Sequence, residues 1–320
     1  MEIRIQRGGM QTTVQDLGRS GFRAIGVPLN GAMDPLALRV ANALVGNSEK
    51  HAGLEFTLVG PELEFSGDAL IAVGGAECEG VENWRPFEVR AGTRLNFGPC
   101  IRGCRGYIAF RGGIETEPLL GSRSTYLRGG WGGLNGRALR DGDRVRVGAT
   151  DAVAHLVPTR TAWRIDPRIL PAYSSAPSIR AIRAADSGEW CDRLFNVEFK
   201  VTTNSDRMGL RLSGDAVVAP NSGNQLSSAV GPGTVQIPPD GQPLVLMADA
   251  QTIGGYPQAA HVICVDRPLV AQLRPGDSLR FREVSLEEAH QLALTRDHAL
   301  AMLREGLVQK LDESIDVAPT

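Results

Sequence analysis

Apolar and polar residues alternate in short runs along most of this chain. Glu2-Ile-Arg-Ile5 alternates at the N-terminus and predicts an edge strand. Between Leu54 and Val147 the runs Leu63–Phe65, Ala69–Val73, Phe87–Val89, Arg94–Phe97 and Arg105–Phe110 are each bounded by Gly or Pro and predict short strands. Ala91-Gly92 and Asp141-Gly-Asp143 predict hairpin turns. A second series follows at Phe195–Phe199, Thr234–Ile237, Leu244–Met247, His261–Val265 and Leu279–Phe281. Helical spacing is rare. Asp34 is a good N-cap with Pro35 at the first helical position; Leu36, Val40, Ala43 and Leu44 share one face, and Gly46-Asn47 ends the segment. Asp34 therefore reads as a cap before it reads as a catalytic acid. Ser285-Leu-Glu-Glu288 is a capping box that opens a helix to about Leu307, followed by a frayed tail.

These elements predict a mainly β protein: two β-lobes with few helices and a C-terminal helix. The expected layout is a first β-lobe over 1–150 with an inserted helix at about 34–46. A Pro- and Ala-rich linker follows over 151–180, with one packed segment around Ile165. A second β-lobe spans 181–284, and the helix and tail span 285–320. Two short motifs recur. Thr12-Thr-Val-Gln-Asp16 and Thr202-Thr-Asn-Ser-Asp206 share Thr-Thr-x-x-Asp; Leu139-Arg-Asp-Gly-Asp143 and Leu273-Arg-Pro-Gly-Asp277 share Leu-Arg-x-Gly-Asp. The spacing between copies differs for the two motifs. A duplication with extra length in the first lobe and a coincidence of common turn residues both fit.

Composition narrows the function. At 320 residues with a net charge of -2 and no basic stripe, the chain is a poor nucleic-acid binder. No run approaches the roughly 20 apolar residues that cross a bilayer. Met1–Ile5 has no signal-peptide character, which makes the cytoplasm the expected location. Cys100 and Cys104 have a metal-like spacing, but no second pair and no nearby histidine completes a site, so thiols are expected and no metal. The 38 glycines lack a collagen-like period and mark turns.

The candidate chemistry lies on polar, glycine-containing stretches. Asp249-Ala-Gln-Thr-Ile-Gly-Gly-Tyr-Pro257 follows a buried-strand run and brings Asp249, Gln251, Thr252 and Tyr256 to its end. Its two glycines let a ligand or another segment approach the backbone. Gln11–Arg19 carries Asp16 and Arg19 and reads as a surface loop; Asn204–Gly209 carries Ser205, Asp206 and Arg207. Gly121–Thr125, with Arg123 and Ser124, precedes the glycine-rich run Gly129–Gly136. Backbone N–H groups there could cradle an anion, but no Gly-Lys-Ser/Thr makes it a P-loop, and a surface loop fits equally. Gly-x-Ser-x-Gly and His-Glu-x-x-His are missing, and His261 reads as a core or strand-face residue. What remains is carboxylates, amides, hydroxyls and arginines, with Gln236 near them. Such a set suits a small anionic substrate, or half of a composite site completed by another chain.

The same stretches, together with Gly31-Ala-Met-Asp-Pro-Leu-Ala37 and Ala41-Asn-Ala-Leu-Val-Gly46, resemble the family of 5-oxoprolinase C subunits, also called allophanate hydrolase subunit 2 and the biotin-dependent carboxyltransferase family. The resemblance runs from about residue 1 to 285. It implies that the two lobes are β-barrel-like, with cyclophilin-like architecture. It implies the A and B subunits of 5-oxoprolinase as partners, in a possible oligomer of heterodimers, and ATP-dependent opening of 5-oxoproline to glutamate. ATP is then a substrate of the complex, and nothing in the chain marks where it is held. Asp206, Arg207, Asp249 and Gln251 are the expected catalytic residues. Asp16, Arg19, Arg123, Ser124, Ser205, Gln236, Thr252 and Tyr256 are the expected substrate contacts. Two departures stand out: Ser227-Ser-Ala229 where the family usually reads Ser-Glu-Gly, and Ile253 where it usually has threonine. Two alternatives remain. One is carboxyl transfer to a urea-like molecule; with no Met-Lys-Met in this chain, biotin would be carried on another chain. The other is a regulatory partner of a kinase inhibitor that is related to the B subunit.

Overall fold

The computed structural model describes residues 1–149, 165–219 and 226–316. The part of the linker expected at 151–164 lies outside them. The chain divides into two compact units: Met1–Gly18, Asp34–Leu170 and His298–Thr320 form the first, Arg19–Met33 and Pro171–Asp297 the second.

In the first unit the elements are β1 (Glu2–Arg7), β2 (Thr12–Gln15), α1 (Pro35–Leu44), β3 (Gly53–Thr57), β4 (Glu62–Phe65), β5 (Ala69–Cys78), β6 (Pro86–Val89), β7 (Arg94–Asn96), β8 (Cys100–Phe110), β9 (Ile114–Glu115) and β10 (Arg144–Val147). They build two five-stranded sheets, ordered β7-β4-β1-β10-β9 and β2-β3-β8-β5-β6. The expected edge strand β1 lies in the middle of its sheet. Its register sets Ile3 opposite Phe65 and Ile5 opposite Leu63, so alternation puts these side chains on one buried face. Ala91-Gly92 does turn, but β6 and β7 belong to different sheets, so it closes no hairpin; β10 likewise pairs with β1 and β9 rather than across the Asp141–Asp143 turn.

The surface loop expected at Gln11–Arg19 is corrected in its first half. Thr12–Gln15 is a strand paired with β3 and wholly buried. Most of its polar side-chain atoms have partners: Thr12 Oγ1 donates to Gly8 O at 2.7 Å, and Gln15 Nε2 donates to Thr13 Oγ1 at 3.0 Å and Thr125 O at 3.2 Å, while Gln15 Oε1 has none among the described residues.

Asp34 caps α1 as expected, its Oδ1 accepting from Ala37 N at 3.0 Å. The helix start is held further by Tyr107, whose hydroxyl accepts from Asp34 N at 2.8 Å and donates to Glu55 Oε2 at 2.8 Å. Burial, reinforced by the Glu55 and Asp34 carboxylates, pushes the Tyr107 phenol well above its usual pKa. Leu36, Val40 and Leu44 bury against Leu70, Ala109, Ile165, Leu300 and Leu307.

The second unit contains β11 (Ser178–Arg183), α2 (Asp192–Asn196), β12 (Glu198–Val201), β13 (Gly209–Ser213), β14 (Ser228–Ala229), β15 (Thr234–Gln236), β16 (Leu244–Leu246), β17 (Ile253–Gly254), β18 (Gln258–Val262), α3 (Arg267–Ala271) and β19 (Ser278–Glu283). A closed barrel runs β11-β18-β15-β16-β13-β12-β19. All its pairings are antiparallel except β11–β19, which is parallel with Ser178 opposite Arg280. Its interior holds Ile179, Phe199, Leu210, Leu212, Val235, Val245, Leu279 and Phe281. The strand expected at Phe195–Phe199 begins only at Glu198, because α2 takes the residues before it.

The last helix, α4 (Leu286–Asp316), opens on the capping box, with Ser285 Oγ accepting from Glu288 N at 3.1 Å. It runs well past Leu307. Among the described residues no helix is long and apolar enough to cross a membrane.

Both Leu-Arg-x-Gly-Asp stretches fold into the same turn. Asp143 Oδ2 accepts from Arg140 N at 2.7 Å, and Asp277 Oδ2 accepts from Arg274 N at 2.8 Å. Gly142 and Gly276 have φ of 87° and 93°. Each turn then bonds the strand that its following strand pairs with: Gly142 N to Ile5 O, and Gly276 N to Val201 O, both at 2.8 Å.

Candidate functional site

Each unit holds its own polar cluster. In the first, Asp16 follows β2 and meets the Gly121–Thr125 turn. Its Oδ1 accepts from Gly18 N at 2.8 Å, Ser122 Oγ at 2.6 Å and Ser124 Oγ at 2.5 Å; its Oδ2 accepts from Arg123 N at 2.6 Å. Asp16 and Ser124 are thus brought together, and Ser122 joins them. These donors fill Asp16 Oδ1 and one bond reaches Oδ2, so the carboxylate fixes the loop. The Arg123 backbone is tied into the clamp, while its side chain is half-buried and makes no hydrogen bond or ion pair among the described residues. The glycine-rich run that follows bonds largely to itself: Gly130 N donates to Tyr126 O at 2.9 Å, Gly133 N to Arg123 O at 3.1 Å and Gly136 N to Gly132 O at 2.8 Å. Those N–H groups are spent, so the anion cradle expected there is reduced.

The second unit brings together Arg19, Arg207 and Asp249. Arg207 Nε donates to Asp249 Oδ2 at 2.9 Å and Nη2 to Oδ1 at 3.1 Å; Nη2 also reaches Gly31 O at 2.6 Å. Asn30 links this pair to Arg19. Its Nδ2 donates to Asp249 Oδ1 at 2.9 Å, and its Oδ1 accepts from Arg19 Nη1 at 3.0 Å. Asn30 N donates to Ala248 O at 2.9 Å, and Asp249 N to Arg207 O at 2.9 Å. Arg19, Asn30, Arg207 and Asp249 are all buried. Sequence reasoning missed Asn30. The available signal was the turn dipeptide Asn30-Gly31, whose asparagine adopts φ of 53°.

The other expected residues have distinct settings. Asp206 is exposed, and its Oδ1 accepts from Met208 N at 2.8 Å and Gly209 N at 3.1 Å; its Oδ2 has no hydrogen-bond partner among the described residues. Ser205 Oγ accepts from Arg211 N at 3.0 Å and donates to Arg211 O at 3.3 Å, so its proton holds a turn. Gln236 is fully buried: Nε2 donates to Tyr256 O at 3.2 Å, and Oε1 has no hydrogen-bond partner among the described residues. Directly against it lies Gly254, where an added Cβ would sit 2.7 Å from Gln236 Nε2. The expected close approach at this glycine is therefore real, and it is to a side chain. Thr252 is buried, Gln251 half-buried and Tyr256 exposed. His261 is a strand-face residue of β18, with Nδ1 3.4 Å from Thr234 Oγ1; desolvation lowers its pKa. No group of three His, Cys, Asp or Glu among the described residues could hold a metal ion.

Residues 25–283 match the family described as carboxyltransferase domain, subdomain A and B. The chain is 40% identical to the 5-oxoprolinase C subunit of Escherichia coli over 296 residues, which is 90% of this chain and 93% of that one. It is 31% identical to urea amidolyase of Saccharomyces cerevisiae over 99% of this chain, but spans only 18% of that protein. The crystal structure of the Kluyveromyces lactis urea carboxylase superposes with a TM-score of 0.86 at 32% identity, covering 96% of this chain and 29% of that one.

Proposed function

The chain belongs to the carboxyltransferase-domain family, subdomains A and B, and from that premise we propose that it is the C subunit of an ATP-dependent 5-oxoprolinase. In this reading it works with A and B subunits to open 5-oxoproline to glutamate. The observation that carries the reading is the end-to-end match to the bacterial C subunit, nine-tenths of both chains at 40% identity.

The reaction has to break a resonance-stabilised lactam. Transfer of the terminal phosphoryl of ATP to the lactam oxygen releases ADP and makes the ring carbon electrophilic. Water adds there, the ring C–N bond breaks with a proton passing to nitrogen, and hydrolysis of the acyl phosphate leaves glutamate and phosphate. Asp206, with its open Oδ2, suits a proton acceptor for water. Within the first unit, Arg123 by itself suits an anionic group. The buried Arg207–Asp249 pair, with Asn30 and Arg19, suits a fixed electrostatic support beside Gln251 and Thr252.

The test is 5-oxoproline-dependent ATP hydrolysis by this chain mixed with its A and B subunits, omitting each in turn. Turnover is expected only in the complete mixture. A complex that forms with the B subunit but gives no turnover with any mixture would overturn the reading. A second reading, carboxyl transfer from a biotin carrier on another chain, is favoured by the structural match to the urea carboxylase. It predicts dependence on biotin carrier and bicarbonate.

A further inference from the structure

The second unit carries a cavity of about 200 Å³ outside the barrel wall, lined among others by Thr202, Asn204, Arg211, Asp240 and Leu244. Alternation along β13 buries Leu210 and Leu212 and turns Arg211 outward. Asp240 comes from the connection between β15 and β16. That connection is fixed in shape: Gly241, at φ of 73°, donates to Pro238 O at 2.9 Å, and the Gln242 amide exchanges hydrogen bonds with Gly214 at 2.8 and 3.2 Å.

The charges in this cavity form no ion pair among the described residues. The Arg211 guanidinium makes no hydrogen bond or ion pair among the described residues; only its backbone bonds to Thr202 and Ser205. Asp240 accepts from Gln242 N at 3.0 Å and forms no ion pair among the described residues. Arg211 and Asp240 therefore line one small cavity from two separate segments and form no ion pair with each other. Beside them the Thr202 hydroxyl is buried and has no hydrogen-bond partner in the described structure.

We propose that this cavity binds a small zwitterionic α-amino acid, with its carboxylate on Arg211 and its ammonium on Asp240. One ligand of this class satisfies both charges. A dicarboxylate would set an anion against Asp240, and a diamine would set a cation against Arg211. The volume lies below the range of about 300–1,000 Å³ typical of drug-sized ligands, which matches a compact metabolite. Leu244 and the neighbouring prolines offer apolar wall to a short side chain. Because both charges are solvent-exposed, the affinity is modest, in the millimolar range. The inference does not depend on the proposed reaction.

The experiment is ligand titration of the full chain by NMR, using L-alanine, propionate and ethylamine. L-alanine carries both charges and the other two carry one each. Saturable L-alanine binding is expected, about tenfold tighter than either fragment. Arg211→Ala and Asp240→Asn should each weaken it by about tenfold while melting is unchanged, and Arg211→Lys should recover part of it. Absence of saturable L-alanine binding to the wild-type chain overturns the proposal. So does equal binding of propionate, or L-alanine binding that survives both substitutions.

Discussion

At Asp249 the chemistry of a candidate site and the stability of the fold meet in one side chain. Its carboxylate and the Arg207 guanidinium are both nearly removed from water, with 3% and 6% of their side-chain surface exposed. Deleting one member of such a pair strands the other. Arg207→Ala should therefore destabilise the chain by about 3–5 kcal/mol in denaturant unfolding, and an apolar double substitution such as Arg207→Met with Asp249→Leu should recover most of it. A single variant with unchanged stability would show that water enters the site. An activity loss in Arg207→Ala can be read as catalytic only once that folding term is measured. A second prediction concerns Asp143. The Arg137 hydrogen bond, aided by the Arg140 N–H, holds its carboxyl below the usual value. The associated stability is fully present above the ordinary carboxylate pKa and is lost as pH falls through the lowered one. Arg137→Ala should move the Asp143 carboxyl resonance titration upward; an unchanged titration would remove Arg137 as the cause. Both aspartates were visible in the sequence from local signals: Asp143 sits in a Gly-Asp turn flanked by arginines, and Asp249 ends an apolar run ahead of Gly254-Gly255. Asn30 was not visible in that role, since its bond to Asp249 joins residues 219 apart.

Among elements, the two-stranded ribbon β14–β17 gathers several features. Ser228 pairs with Gly254 and Ala229 with Ile253. Both departures from the pattern that the family usually shows thus fall on facing positions of one ribbon, and amount to one change in one place. Gly254 lies against Gln236, so Gly254→Ala should displace that buried amide and cost about 1–3 kcal/mol by thermal or chemical unfolding. A neutral result would mean that Gln236 has room to move. The repeated Leu-Arg-x-Gly-Asp turn was legible as a turn from its residues alone. Its equivalence in the two units needed the structure, because each glycine bonds a strand far away in sequence. Strand β2 was hidden for a related reason. Thr12, Thr13 and Gln15 look solvated until their partners at Gly8 and Thr125 are in place. Helix α1 was legible throughout, because its cap, proline and apolar face are all local.

For the whole molecule, the units do not correspond to consecutive halves of the chain. Arg19–Met33 belongs with Pro171–Asp297, and His298–Thr320 with the N-terminal residues. A single cut cannot release either unit intact. Residues 171–297 expressed alone lack the segment that supplies Asn30 and Gly31 to Asp249 and Arg207. That fragment should fail to give sharp cooperative melting, and joining residues 19–33 to it should restore the transition. A well-folded 171–297 fragment would make the segment an accessory. Interleaving also constrains the order of events during synthesis. Arg19–Met33 leaves the ribosome early, yet the residues it pairs with come from a stretch that starts only at Pro171. The barrel cannot close until β19 has emerged to lie beside β11. A nascent chain of this protein therefore carries Arg19–Met33 unpartnered for more than half of translation. Its folding is paced by completion of the polypeptide rather than by the appearance of successive domains.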